Sequence, residues 1–135
     1  MEKILVGYDG SEGSEKALHK SMTLINENGE IILLAVVPSP SEKSFIDNDI
    51  YKNFKQKAQR LITTTIKTLI DHNFTVRGMV EDGDAASVII DVANNLHCDL
   101  IVLGSKGTSE IGTYLLGSVA NKVVQYAHKP VMVVR

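Results

Sequence analysis

The run Ile31-Ile32-Leu33-Leu34-Ala35-Val36-Val37 restricts the fold more than any other stretch of the sequence. Such a run leaves no polar face, so a strand made from it has to be covered on both sides, as in a parallel sheet flanked by helices. It is strand-sized rather than long enough to cross a membrane, and Pro38 and Pro40 close it. Ile4-Leu5-Val6, Leu100-Ile101-Val102-Leu103 and Val131-Met132-Val133-Val134 are of the same kind. Phe74 to Val80 alternates as a strand does, with Gly78 as a weak point.

Helical segments separate these runs. Ser14 is expected to cap a helix reaching about Glu27, with Ala17, Leu18, Met22 and Ile25 on one face. Asn28-Gly29 supplies the left-handed residue that ends it. A long helix is expected from about Asp49 to Asp71, burying Ile50, Phe54, Leu61, Ile62, Ile66, Leu69 and Ile70, although Thr63-Thr64-Thr65 lowers the local propensity. Gly83-Asp84 turns the chain and caps a third helix, with apolar Ala86, Ile89, Ile90, Ala93 and Leu96. A last helix spans 118–127. The order βαβαβαβαβ predicts one α/β domain over residues 1–135, with a parallel sheet, right-handed crossovers and helices on both faces.

Charge and cysteine content narrow the partners. A formal charge of −2 speaks against a nucleic-acid surface, where a basic stripe is expected. A single cysteine, Cys98, excludes an intrachain disulfide framework and fits a reducing compartment. Met1-Glu2-Lys3, followed by a short apolar run and then Asp9, is not a signal peptide. The expectation is a cytoplasmic protein with no membrane partner.

The chemistry concentrates between Gly104 and Ser118. Leu100 to Leu103 leads into Gly104-Ser105-Lys106-Gly107, nine residues follow, and Gly117-Ser118 opens the last helix. The first amides of a helix lack intrahelical partners, and the dipole there favours negative charge. Glycines at a strand exit let the backbone approach a ligand with no Cβ in the way. Glycine is also common in any strand-to-helix turn, so content alone decides nothing. Neither G-x-x-x-x-G-K-[ST] nor G-x-G-x-x-G occurs in the sequence.

The spacing is more specific. Gly104, Gly107, Gly117 and Ser118 fit the pattern G-x2-G-x9-G-[ST], and the chain resembles the universal stress proteins of the ATP-binding branch. The resemblance extends to Ile4-Leu5-Val6-Gly7-Tyr8-Asp9-Gly10-Ser11, to Gly83-Asp84 and to Pro130-Val131-Met132-Val133-Val134. It implies a single-domain Rossmann-like (HUP-type) three-layer α/β/α fold, with a five-stranded parallel sheet in the order 3-2-1-4-5. It also implies binding of ATP, or AMP and ADP, with Mg2+ held through the phosphates. A stress-response role follows from it, as does a homodimer formed through strand 131–134.

Carried onto this sequence, the nucleotide contacts are Tyr8, Asp9, Val37, Leu103, Gly104, Ser105, Lys106, Gly107, Gly117, Ser118, Val119 and Ala120. Asp9 stands at a strand end, either touching the ribose or a phosphate-bound metal, or serving as a turn carboxylate. Val37 matches the position that offers backbone groups to adenine, although Pro38 has no amide to donate. Lys106 either neutralises phosphate charge or is simply solvated. Where the family often carries arginines after the second glycine, this chain has Thr108, Ser109 and Glu110, which weakens the attraction for phosphate.

No serine-hydrolase elbow is present, and His19, His72, His97 and His128 fall on separate elements. His97-Cys98-Asp99 would alternate in direction on an extended strand and fail to converge on a metal. Cys98 is expected to pack as a small hydrophobe at a strand entrance. Hydrolysis needs a positioned water and charge stabilisation, for which the sequence offers only Asp9 and Lys106. A binding module is therefore expected, with a slow ATPase or autophosphorylating enzyme, or a nucleotide-free dimeric scaffold, as alternatives. The lid role considered for loop 38–48 competes with that of a plain connector.

Overall fold

Residues 1–39, 48–70, 72–105 and 117–135 are described by a computed structural model. Over these residues the chain runs β1 (Lys3–Gly7), α1 (Glu12–Leu24), β2 (Glu30–Val37), α2 (Asn48–Lys67), β3 (Thr75–Asp82), α3 (Ala85–Asn95), β4 (Leu100–Gly104), α4 (Ser118–Tyr126) and β5 (Val131–Val134). All strands pair in parallel, in the order β3-β2-β1-β4-β5. The expected α/β fold and strand order are those observed.

Strand pleating splits the apolar runs between two cores. Ile4, Val6, Ile31, Leu33, Leu100 and Val102 point to one side, where Ala17 and Leu18 of α1 and Ile62 of α2 meet them. Leu5, Ile32, Leu34, Ile101 and Leu103 point to the other, against Ile89 and Ala93 of α3 and Ala120 and Val123 of α4. Ile4, Leu5, Ile31, Ile32 and Ile101 are all 0% exposed. At roughly 25 cal/mol per Å2 of apolar surface removed from water, these doubly covered strands are the main source of stability.

Several local expectations are corrected. The cap of α1 is Ser11, not Ser14: the Ser11 Oγ accepts the Ser14 amide at 3.2 Å. Ser14 is buried in the first turn, and the helix stops at Leu24 rather than near Glu27. Asn28 does adopt a left-handed conformation, with φ 67°, but past the helix end. Strand β3 runs from Thr75 to Asp82, later than expected. Gly78 lies where a Cβ would come within 2.3 Å of Ile62 Cγ2, so the missing side chain is what lets α2 settle on the strand.

Helix α2 also departs from expectation. It ends at Lys67, past which the backbone tightens to three-residue bonds, Thr68 amide to Thr65 carbonyl at 3.0 Å and Leu69 amide to Ile66 carbonyl at 2.9 Å, with the Thr68 hydroxyl also donating to Thr65 at 2.6 Å; Asp71 lies outside the described residues. Ile50, Phe54 and Ile70 are not buried, at 42%, 41% and 70% exposure. Ile70 follows the helix end. Phe54 lies two turns from Leu61, which abuts Gly10. On that flank β1 has already stopped, with Gly7 opposite Leu34 and short of Val37. Among the described residues β1 therefore gives Ile50 and Phe54 no cover, while Tyr51 on the neighbouring flank still reaches Asp82 at the end of β3.

Candidate functional site

Strand order reverses between β1 and β4, because α1 leads from β1 to one neighbour while β4 approaches from the other side. Ligands of open α/β sheets bind beyond the carboxyl ends of the strands at such a point. A cleft of about 300 Å3 lies there. Gly7, Tyr8 and Asp9 form its margin at the end of β1, and Leu103 and Gly104 its margin at the end of β4. Leu34 and Val36 of β2 with Ile89 of α3 give an apolar wall, and Gly117 to Ala120 close the far side. The volume falls at the lower end of the range for small-molecule pockets, about 300–1,000 Å3.

The first turn of α4 is the chemically open part of this cleft. Gly117 is the N-cap and has no side chain with which to cap the helix. Its own amide donates to the Ser105 carbonyl at 2.7 Å, and the first helical backbone bond is Asn121 to Gly117 at 2.9 Å. The amides of Ser118, Val119 and Ala120 precede that bond, at the positive end of the helix dipole. The other two starts at the cleft are self-capped. In α1, Ser11 takes the Ser14 amide, and the Ser14 hydroxyl donates to the Ser11 carbonyl at 3.0 Å. In α3, Asp84 accepts from the Ser87 amide at 3.1 Å and the Ser87 hydroxyl at 2.9 Å. Those two bonds hold the Asp84 carboxyl below its usual pKa.

Glycines place these elements, and Gly104 has a second reason beside the one expected. A Cβ there would lie 2.6 Å from the Gly13 carbonyl carbon, so Gly104 lets the start of α1 rest on the end of β4 backbone to backbone. A Cβ on Gly7 would meet Leu103 Cδ2 at 2.6 Å, which keeps the two strand ends close at the cleft floor. Across the segment after Ser105, the chain is pinned at both ends. Ser105 donates to the Val134 carbonyl at 2.8 Å and accepts from Gly117.

Tyr8, Asp9, Leu103, Gly104, Gly117, Ser118, Val119 and Ala120 thus line a single cleft, as grouped from the sequence. Val37 is not in its lining. It is buried in the core, and its carbonyl accepts the Gly83 amide at 3.0 Å, whereas the adjacent Val36 does face the cleft. Ser105 also lies outside the lining, its backbone engaged as above. Lys106, Gly107, Thr108, Ser109 and Glu110, and the greater part of loop 38–48 with its lid reading, fall outside the described residues.

Asp9 Oδ1 accepts the Ser11 amide at 2.9 Å, so the carboxylate shapes the turn while lining the cleft. The Tyr8 side chain points into the core and is 4% exposed; its hydroxyl bonds Glu15 and receives one from Thr65 at 3.4 Å. Burial, and then the Glu15 carboxylate, raises its pKa. Sequence reasoning missed Gly7, Ser11, Ser14, Leu34, Val36, Ala85 and Ile89 as lining residues. Only Gly7 and the two serines, adjoining Tyr8 and Asp9 in the sequence, had a local signal.

The remaining groups are structural. His97 is left-handed, with φ 55°, and Asp99 Oδ2 accepts the Glu2 and Lys3 amides, each at 2.9 Å. The triplet 97–99 is therefore a turn and not the extended strand assumed above. Cys98 is 1% exposed and packs as a hydrophobe, with burial raising its thiol pKa. Among the described residues no His, Cys, Asp and Glu cluster could hold a metal ion, and no helix is long and apolar enough to cross a membrane.

Comparison with known proteins extends the likeness to the whole chain. The universal stress protein family matches residues 1–135. The solved structure of MJ0577, a protein of Methanocaldococcus jannaschii, superposes with a TM-score of 0.88 at 31% identity, covering 98% of this chain and 94% of that one. A universal stress protein in complex with cAMP gives a TM-score of 0.71 at 24% identity, covering 99% and 97% of the two chains. One from Arabidopsis thaliana with AMP bound gives 0.70 at 18% identity, covering 99% and 91%. At those identities the last two speak for a shared fold, and their nucleotides are properties of those proteins.

Proposed function

The chain belongs to the universal stress protein family, and on that premise we propose that it is a regulatory module binding an adenine nucleotide in the cleft between β1 and β4. The uncapped start of α4 carries the proposal. A phosphate group would satisfy the amides of Ser118, Val119 and Ala120 that Gly117 leaves uncapped, with charge-assisted bonds stronger than those to water. The Ser118 hydroxyl adds a donor, and the family pattern assigns Ser105, Lys106 and Gly107 to the same phosphate contact. Leu34, Val36 and Ile89 offer the base an apolar wall. In this reading Tyr8, Leu103 and Gly104 frame the floor and Asp9 takes the ribose or a phosphate-held Mg2+, while Val37, whose carbonyl is held by the Gly83 amide, takes no part.

ATP is the proposed ligand, with AMP and ADP using the same cleft. Nucleotide-bound relatives, one with AMP and one with cAMP, support the adenine assignment. The functional unit is the whole of residues 1–135, acting in the stress response as a homodimer. Strand β5 is an edge of the sheet and bears Val131, Met132, Val133 and Val134, an apolar edge that a second copy would cover.

Binding to the folded chain alone would raise its stability by about 2.7 kcal/mol at a ligand concentration 100 times Kd. Occupancy would thereby become a signal without turnover. Calorimetric titration with ATP and AMP is expected to give one site per chain, and Gly117→Val is expected to abolish it by placing a branched side chain at the helix mouth. Absence of binding by the parent chain, or unchanged binding by the variant, would remove the reading.

A further inference from the structure

Helix α2 carries a charge imbalance that no ion pair among the described residues offsets. Lys52, Lys55, Lys57, Arg60 and Lys67 stand against a single carboxylate, Asp49, a local charge of +4 in a chain of formal charge −2. Lys55 lies over the Tyr51 ring at 5.8 Å. Lys52, Lys57, Arg60 and Lys67 are exposed and make no ion pair among the described residues. Lys52 with Lys55 and Lys57 with Arg60 repeat like charge one helical turn apart, which does nothing to stabilise the helix itself. Helix α1 is arranged differently: Lys16 faces Glu12 at 3.4 Å and His19 faces Glu15 at 3.7 Å.

We infer that the outer face of α2 is a docking surface for an acidic polypeptide segment. Ala58, Ile62 and Thr65 turn inward, and helical spacing puts Lys52, Gln56, Gln59, Arg60, Thr63 and Lys67 on the opposite face, all of them exposed. From Lys52 to Lys67 the face runs about 22 Å at 1.5 Å per residue. An extended segment of about seven residues spans that length. Carboxylates along it would meet Lys52, Arg60 and Lys67 in turn, while Gln56, Gln59 and Thr63 supply hydrogen bonds between the charges.

The same face fits an anionic membrane less well. A membrane-surface helix needs apolar residues opposite its cations to enter the lipid, and in α2 that side is buried against the sheet. The inference rests on charge and exposure alone and holds whether or not the cleft binds a nucleotide.

Fluorescence anisotropy of the full chain with a labelled ten-residue Glu/Ser peptide at low ionic strength tests it. The triple variant Lys52→Gln, Arg60→Gln, Lys67→Gln is expected to bind about tenfold more weakly. A control with the same loss of charge elsewhere, Lys16→Gln, Lys20→Gln, Lys122→Gln, is expected to change affinity by less than about twofold. Every site altered is exposed, so folding should be retained, which far-UV circular dichroism checks. Equal losses in the two variants would reduce the effect to net charge and overturn the inference. So would failure of the peptide to bind, including the case in which phosphatidylserine vesicles bind through the same residues instead.

Discussion

Helices α1 and α4 both begin at the cleft, and they dispose of their first amides in opposite ways. At the start of α1 the chain satisfies itself, with Asp9, Ser11 and Ser14 exchanging bonds among side chains and backbone. At the start of α4 the cap position holds Gly117, which has no side chain to offer. Self-capping stabilises a helix without a ligand, whereas a bare start leaves donors for an anion. One helix therefore anchors the cleft and the other is available for recognition. The third start, α3, falls with α1, because Asp84 caps it.

The largest effect is expected where the anchored helix meets the sheet. Gly104→Ala would set a Cβ 2.6 Å from the Gly13 carbonyl carbon, and backbone cannot swing aside as a side chain can. A loss of about 3 kcal/mol is expected in urea denaturation, as for overpacking in a rigid site. Unchanged stability would show that α1 does not depend on that close approach.

Gly117→Ser tests the contrast directly by giving α4 a cap like that of α1. Adenine nucleotide affinity is expected to fall about tenfold, near 1.4 kcal/mol, as the new hydroxyl competes for the same amides. The empty protein should gain only a few tenths of a kcal/mol. Equal affinity for parent and variant in calorimetry would mean that the bare start is not what recognises the ligand.

The smallest effect concerns pH at the α3 cap. Ser87 holds the folded Asp84 carboxyl below its usual pKa, so the cap contributes fully above the unfolded value, about 3.9, and is lost as pH falls through the folded one. Asp84→Ala should melt below the parent at pH 7, and the gap should close as acid is added below about pH 4. Melting curves of both proteins across that range check it; a gap of constant size would show that the charge of the carboxylate plays no part.

How much was legible in advance differs between the sheet and the helices. Ile31 to Val37 announced a strand buried on both sides, because no polar residue was present to face water, and β2 has that form. The cleft residues from Tyr8 to Asp9 and from Gly117 to Ala120 were grouped through the family resemblance, and the fold brings them together because strand ends and helix starts meet at a reversal of strand order. Ser11 and Ser14 were harder to tell apart. Both are good caps, and only the local path of the backbone selects Ser11. The stripe on α2 failed at Ile50 and Phe54 because periodicity gives the direction of a side chain but not the length of the neighbouring strand.

The order of apolar runs and helical segments was enough to set the α/β layers, since burying both faces of short apolar strands leaves few other arrangements. The family pattern over Gly104, Gly107, Gly117 and Ser118 likewise needed only spacing. Tertiary structure alone decided what the glycines are for. Gly104 serves a contact with Gly13, ninety-one positions earlier in the chain, and Gly78 makes room for Ile62 on α2. A missing side chain looks the same in any sequence, and its purpose lies in what the folded chain brings against it.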